Sequence, residues 1–334
     1  MIMSTPTTPT ASPSTELPGP FAISLAGVSH AYGTRQALIN VSLEIHTAEL
    51  FAVLGPNGGG KTTLFRILST LIPLQSGAVH LLGHDLVSQA HAIRRLIGVV
   101  FQSPSLDRKL TVAENIQLQA VLYGLAGREL SRRLDELLEQ FALRDRAGEL
   151  TERLSGGLRR RVELAKGMIH QPRLLLLDEP SMGLDPAARS DLWQYLRYLK
   201  SEHGTTIVLT THYLDEADGA DRIAILSQGQ LVALGAPDEL RAEVGGDSVS
   251  IETAEPQLLA AAIRNSLGLA GRVVDDQVRL ELADGHKWIA RIVEDFPGQV
   301  TAIRLGKPTL EDVFIARTGH RFWREPLERG RDGR

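Results

Sequence analysis

The feature that most constrains this sequence is a glycine-rich stretch at residues 55–63, which reads Gly-Pro-Asn-Gly-Gly-Gly-Lys-Thr-Thr. The apolar run at residues 51–54 before it predicts a strand, and the apolar spacing of residues 64–71 after it predicts a helix. Glycines let the backbone curl until successive N–H groups point inward, and a helix N-terminus adds positive potential. The stretch therefore predicts a phosphate-binding loop, in which Lys61 reaches the β- and γ-phosphates and the Thr62 hydroxyl ligates Mg²⁺.

Length and composition limit what such a chain can be. Its 334 residues are enough for about two domains. The absence of cysteine excludes disulfides, thiolate zinc sites and cysteine nucleophiles, and favours a cytoplasmic protein. A net charge of -4 argues against a dedicated nucleic-acid binder, which usually carries a basic surface. Because no apolar run approaches the ~18 residues that a membrane span needs, any span would have to come from another chain.

Residues 21–243 alternate apolar runs with longer amphipathic segments, which is typical of an α/β domain. Further strands are predicted at residues 96–101, 174–177, 207–209 and 223–226. Their apolar residues are continuous, so both faces should be buried in a mainly parallel sheet. From Thr111 the period becomes helical, and Glu114 completes the spacing of a capping box, so a helical subdomain is expected at about residues 103–160.

The remainder of the chain predicts a second, smaller domain between two tails. Residues 246–319 read strand, helix, strand, strand, helix, strand, which predicts an α+β, ferredoxin-like module, with a final helix at 309–317. The leader at residues 1–20 is rich in proline, threonine and serine and lacks the pattern of a signal peptide, so we expect it to be disordered. Residues 320–334 form a basic tail, for which a solvated end is the simpler interpretation and contact with anionic lipid the alternative.

Two carboxylates follow the apolar run at residues 174–177. Ligands of an open α/β sheet bind at the carboxyl ends of its strands, where Asp178 and Glu179 should lie. Asp178 suits a Mg²⁺ shell because that ion prefers oxygen ligands. Glu179 could orient and deprotonate an attacking water.

A serine and two glycines begin another predicted helix. Ser155, Gly156 and Gly157 precede the amphipathic residues 158–169, and Ser155 lies 23 positions before Asp178. A hydroxyl and free N–H groups at a helix start can receive an anion, although such a serine is often only an N-cap.

The order of these motifs resembles the nucleotide-binding subunit of an ATP-binding-cassette (ABC) transporter over residues 21–243. This resemblance implies that Tyr32 stacks on adenine and that Gln102 contacts Mg²⁺ and water and senses a membrane partner. It also implies that Asp185 lies in a loop communicating between subunits and that His212 contacts the γ-phosphate. The fold it implies is a P-loop NTPase with a helical subdomain.

The same resemblance implies a head-to-tail dimer, in which Ser155 and Gly157 of one cassette complete the ATP site of the other. The expected partners are therefore a second ATP-binding subunit and an integral-membrane permease, at the cytoplasmic face of the cell membrane. Leu158, where many members have glutamine, resembles the drug- and polysaccharide-exporter branch. Residues 307–314 resemble the end of daunorubicin-resistance-type subunits.

The expected function is an ATPase subunit driving export through a separate permease, and the alternative is an ABC ATPase acting on nucleic acid or ribosomes. Against that alternative, only 53 positions separate Gln102 from Ser155, too few for a long coiled coil, and one phosphate loop is present. A nucleotide-binding switch without turnover is disfavoured because Glu179 and His212 are intact.

The candidate residues fall into three groups. Catalysis is assigned to Lys61, Gln102, Glu179 and His212. Mg²⁺ ligation is assigned to Thr62, Gln102 and Asp178. Nucleotide contact is assigned to Tyr32, Gly55, Pro56, Asn57, Gly58, Gly59, Gly60, Lys61, Thr62, Thr63, Ser155, Gly156, Gly157 and Asp185.

Overall fold

The fold was obtained as a computed structural model, which describes residues 21–322 except Pro104 and Asp275. The predicted leader and residues 323–334 of the predicted tail lie outside the described residues, as does Asp275 at the end of one predicted strand. Within the described part, no helix is long and apolar enough to cross a membrane.

The described residues form three sheets and the helices that pack on them. The strands are β1 Phe21–Tyr32, β2 Arg35–His46, β3 Leu50–Leu54, β4 Ser76–Leu81, β5 His84–Asp85, β6 Ile97–Val100, β7 Leu174–Asp178, β8 Thr206–Thr211, β9 Arg222–Ser227, β10 Gln230–Gly235, β11 Asp247–Glu252, β12 Arg272–Val274, β13 Gln277–Leu282 and β14 Ala302–Gly306. The helices are α1 Lys61–Leu68, α2 Ala90–Leu96, α3 Val112–Leu122, α4 Gly127–Gln140, α5 Gly156–Met168, α6 Pro186–His203, α7 Leu214–Ala217, α8 Pro237–Val244, α9 Pro256–Leu267, α10 Gly285–Asp295 and α11 Leu310–Thr318.

The central sheet has the order β10-β9-β3-β8-β7-β6 and is parallel except for β10. All residues of β3, β7 and β8 are buried, as their continuous apolar runs predict. The predicted strand at 96–101 is shorter in the structure, because Leu96 ends α2 and the strand spans Ile97–Val100. The carboxyl ends of β3, β7 and β8 lie side by side and position the site.

A second sheet, with the order β2-β1-β4-β5, is antiparallel, and sequence reasoning based on continuous apolar runs missed it. Strand β4 and residues 41–46 of β2 bury only one face. In β2 the buried residues Val41, Leu43 and Ile45 alternate with exposed ones. This period of two is the signal that could have revealed the strand.

The helical insertion begins as predicted. Thr111 accepts a hydrogen bond from the backbone N–H of Glu114 at 3.2 Å, and the Glu114 carboxylate accepts one from the N–H of Thr111 at 2.8 Å. This capping box starts α3, and α4 and α5 follow it. In the described residues between β6 and β7, the chain thus forms three α-helices and two short 3-10 helices.

The C-terminal module has the predicted ferredoxin-like topology. Its sheet order is β12-β13-β11-β14, with every neighbouring pair antiparallel, and α9 and α10 cover one face. Helix α11 lies against the opposite side of this sheet, where Asp312 pairs with Arg279. The apolar face of α11, which includes Leu310, Val313 and Phe314, belongs to the core of the first domain. Therefore α11 holds the module against the cassette.

Candidate functional site

The glycine-rich loop lies between β3 and α1 and cannot accept side chains at two of its glycines. Gly60 has a φ of +110°, and a Cβ there would lie 2.7 Å from the carbonyl oxygen of Ala37. At Gly55 a Cβ would lie 2.4 Å from the carbonyl oxygen of Leu226. The loop is therefore curled between the antiparallel sheet and strand β9, with α1 beginning at Lys61.

Lys61 is buried beneath this loop. Its ammonium donates to the carbonyls of Gly55 at 2.8 Å and Pro56 at 3.1 Å, and its Nζ lies 3.9 Å from Oε1 of Glu179. Burial lowers the pKa of Lys61, and the negative charges of Glu179 and Asp178 oppose that shift. A cation is thus held between the loop and the carboxyl end of β7.

Asp178 ends β7 and is 5% exposed. The Thr210 hydroxyl on the neighbouring strand β8 donates to Oδ1 of Asp178 at 2.5 Å. Burial raises the pKa of the Asp178 carboxyl, and the hydrogen bond from Thr210 opposes this shift. The negative charge of Glu179 also raises the pKa of Asp178, and the positive charge of Lys61 lowers it.

Glu179 follows immediately, in a left-handed backbone conformation with φ +45°, which turns the chain sharply after the strand. Its Oε1 lies 3.1 Å from Nδ1 of His212, and its Oε2 accepts from Nε2 of Gln102 at 3.3 Å. Glu179 and His212 are largely buried, whereas Gln102 is exposed. The ends of β6, β7 and β8 thereby bring together three residues that are far apart in the chain.

Lys61, Gln102, Glu179 and His212 line a cleft of about 530 Å³, whereas Asp178, Gly55 and Pro56 are not among its lining residues. Its walls also include Tyr32, which is 45% exposed, and the exposed Thr62 at the start of α1. An aromatic face, a curled loop and a buried cation within one open cleft can hold a planar base joined to phosphates.

The Ser155–Gly157 segment does not reach this cleft within the described chain. Ser155 is exposed and caps α5 by accepting from the N–H of Leu158 at 3.3 Å. A Cβ on Gly156 would lie 4.0 Å from the carbonyl oxygen of Gly183, which places the segment beside the loop that follows Glu179. Asp185 also lies outside the cleft and caps α6 by accepting from the N–H of Ala188 at 2.9 Å.

Sequence reasoning missed one residue that organises the site. Arg160 of α5 is 8% exposed and donates to the carbonyls of Phe101 and Pro180, each at 2.7 Å. It also pairs with Glu163 at 2.9 Å. Residues 159–161 are three consecutive arginines, and the i,i+3 spacing of Arg160 and Glu163 is the signal that could have identified a buried pair.

Fold and site together define a P-loop nucleotide-binding cassette. The family model described as "ABC transporter" matches residues 38–182. The model described as "ATP-binding protein DrrA1-3-like, C-terminal domain" matches residues 235–318.

Similar proteins and structures agree with these matches. The chain is 40% identical to the daunorubicin resistance ATP-binding protein DrrA3 of Streptomyces coeruleorubidus, over 89% of this chain and 96% of that protein. It is 35% identical to the Nod factor export ATP-binding protein I of Rhizobium sp. (strain N33), over 89% of this chain and 97% of that protein. A solved ATP-binding subunit of an ABC transporter is 30% identical with a TM-score of 0.61, covering 66% of this chain and 92% of that one.

The chain therefore belongs to the ABC transporter family, as an ATP-binding protein of the DrrA type. It is an ATPase subunit of the class whose members drive export by ATP hydrolysis. None of these similarities supports the alternative of an ATPase acting on nucleic acid or ribosomes.

Proposed function

We propose that two copies of this chain associate head to tail, and that the cleft of each hydrolyses ATP only when the Ser155–Gly157 segment of the other copy covers it. One observation carries this proposal: Lys61, Glu179 and His212 converge in one cleft, while Ser155 is exposed elsewhere on the same chain. A solved dimeric cassette with ADP and phosphate bound, 30% identical with a TM-score of 0.59, supports the pairing. It covers 64% of this chain and 98% of that chain.

Each residue has a role that its position allows. The Glu179 carboxylate, held between His212 and Gln102, orients the attacking water and accepts its proton. Lys61 leaves the loop carbonyls to neutralise phosphate charge, and His212 contacts the γ-phosphate. Tyr32 stacks on the base from the rim of the cleft.

The residues present fit Mg²⁺. Thr62 offers a hydroxyl oxygen, Gln102 an amide oxygen and Asp178 a carboxylate, which are hard oxygen donors of the kind that this ion prefers. Asp178 is buried, and one of its oxygens is fixed by Thr210, so the carboxylate is oriented before a ligand arrives. When bound, the ion would neutralise charge that develops on the phosphates.

The transport partner is proposed to be a separate integral-membrane permease, with this chain bound at the cytoplasmic face of the membrane. The proposed direction is export, and the proposed substrate class is a drug, lipid or polysaccharide. Relatives named for daunorubicin resistance, linearmycin resistance and Nod factor export support this choice.

The test is Glu179→Gln, which keeps the size of the side chain and removes its basicity. We expect ATP binding and ATP-dependent dimerisation to persist, while steady-state phosphate release falls by roughly 10²- to 10⁴-fold. The matched control is Glu149→Gln, at a partly exposed carboxylate paired with Arg146, and it should leave turnover unchanged. Undiminished phosphate release by Glu179→Gln would contradict the assignment.

A further inference from the structure

A buried carboxylate outside the cleft joins the two loops that present Glu179 and His212. Glu216 lies in the short helix α7 and is 3% exposed. The Ser181 hydroxyl donates to its Oε1, and the Thr211 hydroxyl donates to its Oε2 at 2.7 Å. Both carboxylate oxygens are therefore engaged, each by a different loop.

The first of these loops follows β7. Ser181 lies two positions after Glu179 and is 1% exposed. The N–H of Met182 donates to the carbonyl of Glu179 at 3.1 Å, and the N–H of Leu184 donates to the carbonyl of Ser181 at 3.0 Å. A hydrogen bond that fixes Ser181 thus fixes the turn between Glu179 and α6.

The second loop follows β8. Thr211 precedes His212, and its hydroxyl oxygen accepts from the N–H of Tyr213 at 3.0 Å while its hydrogen goes to Glu216. The backbone on each side of His212 is therefore tied to the carboxylate. His212 in turn places Nδ1 3.1 Å from Oε1 of Glu179.

A third element reaches the same carboxylate. Arg189 of α6 places Nε 3.4 Å from Oε1 of Glu216, and its guanidinium lies 4.8 Å from the centre of the Tyr213 ring. Because Asp185 caps the start of α6, Arg189 in the first turns of that helix connects the loop at residues 181–185 to Glu216. The carboxylate therefore contacts groups from both loops and from the helix beyond them.

We propose that Glu216 is a positioning residue for ATP hydrolysis, which sets the separation of Glu179 and His212 and couples both to the loop at residues 181–185. This inference rests on the proposed roles of Glu179 and His212. A carboxyl group that is hydrogen-bonded at both oxygens between two strand ends has one preferred geometry, and small misplacements of reacting groups are costly in rate.

The test compares Glu216→Gln with Glu49→Gln in the purified full-length chain. Glu49 is a matched control, since it is 6% exposed and its carboxylate accepts from the N–H of His46 and pairs with Arg222, away from the cleft. We expect Glu216→Gln to lower kcat roughly 10- to 100-fold with KM for ATP changed less than about threefold. Glu49→Gln should change thermal stability but keep kcat within about twofold.

Two further measurements separate a positioning role from a structural one. In a Glu179→Gln background, Glu216→Gln should cause no additional loss of turnover, because it acts through Glu179. Ser181→Ala and Thr211→Val each remove one hydrogen bond to the carboxylate, and each should lower kcat by a smaller factor. If the Glu216→Gln chain does not fold, the kcat values of these two variants test the positioning role instead.

The outcomes separate a failure of the positioning role of Glu216 from a failure of the proposed function. If Glu179→Gln is inactive while Glu216→Gln, Ser181→Ala and Thr211→Val all keep kcat within about twofold, the positioning role is wrong and the proposed function stands. If Glu179→Gln itself retains full turnover, the proposed function fails first. Equal losses of kcat in Glu216→Gln and Glu49→Gln would also overturn the positioning role.

Discussion

The glycine-rich cleft and the Ser155–Gly157 segment both contain candidate functional residues, and they are built in opposite ways. In the cleft, Lys61 and Glu179 are largely buried and are held by neighbours in the loop and just beyond the ends of β6 and β8. Ser155 and Gly156 are exposed, and Ser155 accepts a hydrogen bond that caps α5. The first region is thus pre-organised within the chain, and the exposure of the second agrees with the proposal that it covers the cleft of another copy.

The largest expected effect comes from disabling each region separately. Lys61→Ala should remove ATP binding by the single chain, because it removes the buried cation of the cleft. Ser155→Arg should leave single-chain ATP binding intact but prevent dimerisation. Each variant should lose at least about 100-fold in phosphate release, with nucleotide affinity and ATP-dependent dimerisation as the measurements that separate them.

Ser131→Arg is the control for the second variant, since Ser131 is another exposed serine in the helical insertion. It should bind ATP, dimerise and turn over normally. Loss of single-chain ATP binding in Ser155→Arg would contradict the claim that the cleft binds ATP without the Ser155–Gly157 segment.

The next largest effect is on the stability of the loop. Gly60→Ala places a Cβ against the Ala37 carbonyl and the Leu38 side chain at a φ of +110°, so we expect a loss of roughly 2–5 kcal/mol in the free energy of unfolding. Gly33→Ala is the control, since Gly33 also has a positive φ but no atom within 4 Å of the added Cβ. It should cost about 1 kcal/mol in a urea titration. Equal costs would show that the loop is not held against the antiparallel sheet.

A pH-dependent effect is expected beyond the end of α5, the helix that Ser155 caps. His170 stacks on Tyr123 with ring centres 3.7 Å apart, and its Nε2 lies 2.9 Å from the carbonyl oxygen of Ile97. Burial lowers the pKa of His170 to about 4. Because the unfolded chain binds this proton more readily, the contribution of His170 to stability is complete above its ordinary pKa of 6.5 and is lost as pH falls from there towards 4.

The measurement is the free energy of unfolding from pH 7 to pH 4.5 for the natural chain and for His170→Phe, which keeps an aromatic ring beside Tyr123. The natural chain should lose roughly 2–3 kcal/mol more than the variant over this range. Parallel pH profiles would show that His170 is not buried in its neutral form.

The smallest effect concerns helix caps. Ser155→Ala and Thr111→Ala each remove a side-chain cap, from α5 and α3, and each should cost about 1 kcal/mol in thermal or urea unfolding. Only Ser155→Ala should also lower turnover. Equal turnover in the two variants would show that Ser155 acts only as a helix cap.

More of the candidate site than of the surrounding fold could be predicted from the sequence. Lys61, Asp178 and Glu179 follow from local patterns, because a loop after a buried strand and the carboxyl end of a neighbouring strand are defined by adjacent residues. His212 required the resemblance, since nothing in its own segment reveals that β8 lies beside β7. The sequence pattern predicts the elements, while strand neighbours depend on contacts between distant segments.

Two other features of the structure could not be predicted from local patterns, because they depend on contacts between distant segments. The wall formed by Ala37 behind Gly60 belongs to the antiparallel sheet, which continuous apolar runs do not reveal. Glu216 is one of many acidic residues in the sequence, and only the fold brings it to Ser181 and Thr211. The domain boundaries at residues 243 and 246 stay a prediction, although α11 packs into the cassette core.

The central claim is that each ATP site is completed by a second copy of the chain, and one mixing experiment tests it most directly. Lys61→Ala and Ser155→Arg chains are each inactive alone, yet a mixed head-to-tail dimer contains one site with a natural Lys61 and a natural Ser155. Neither variant forms an ATP-dependent dimer with itself, and each mixed dimer has one natural site of two. Mixing equal amounts should therefore restore up to about half of the natural phosphate-release rate if the two sites act independently, and labelled ATP should be retained by the mixed dimer. A mixture that neither retains ATP nor releases phosphate above the level of the separate variants would contradict the account.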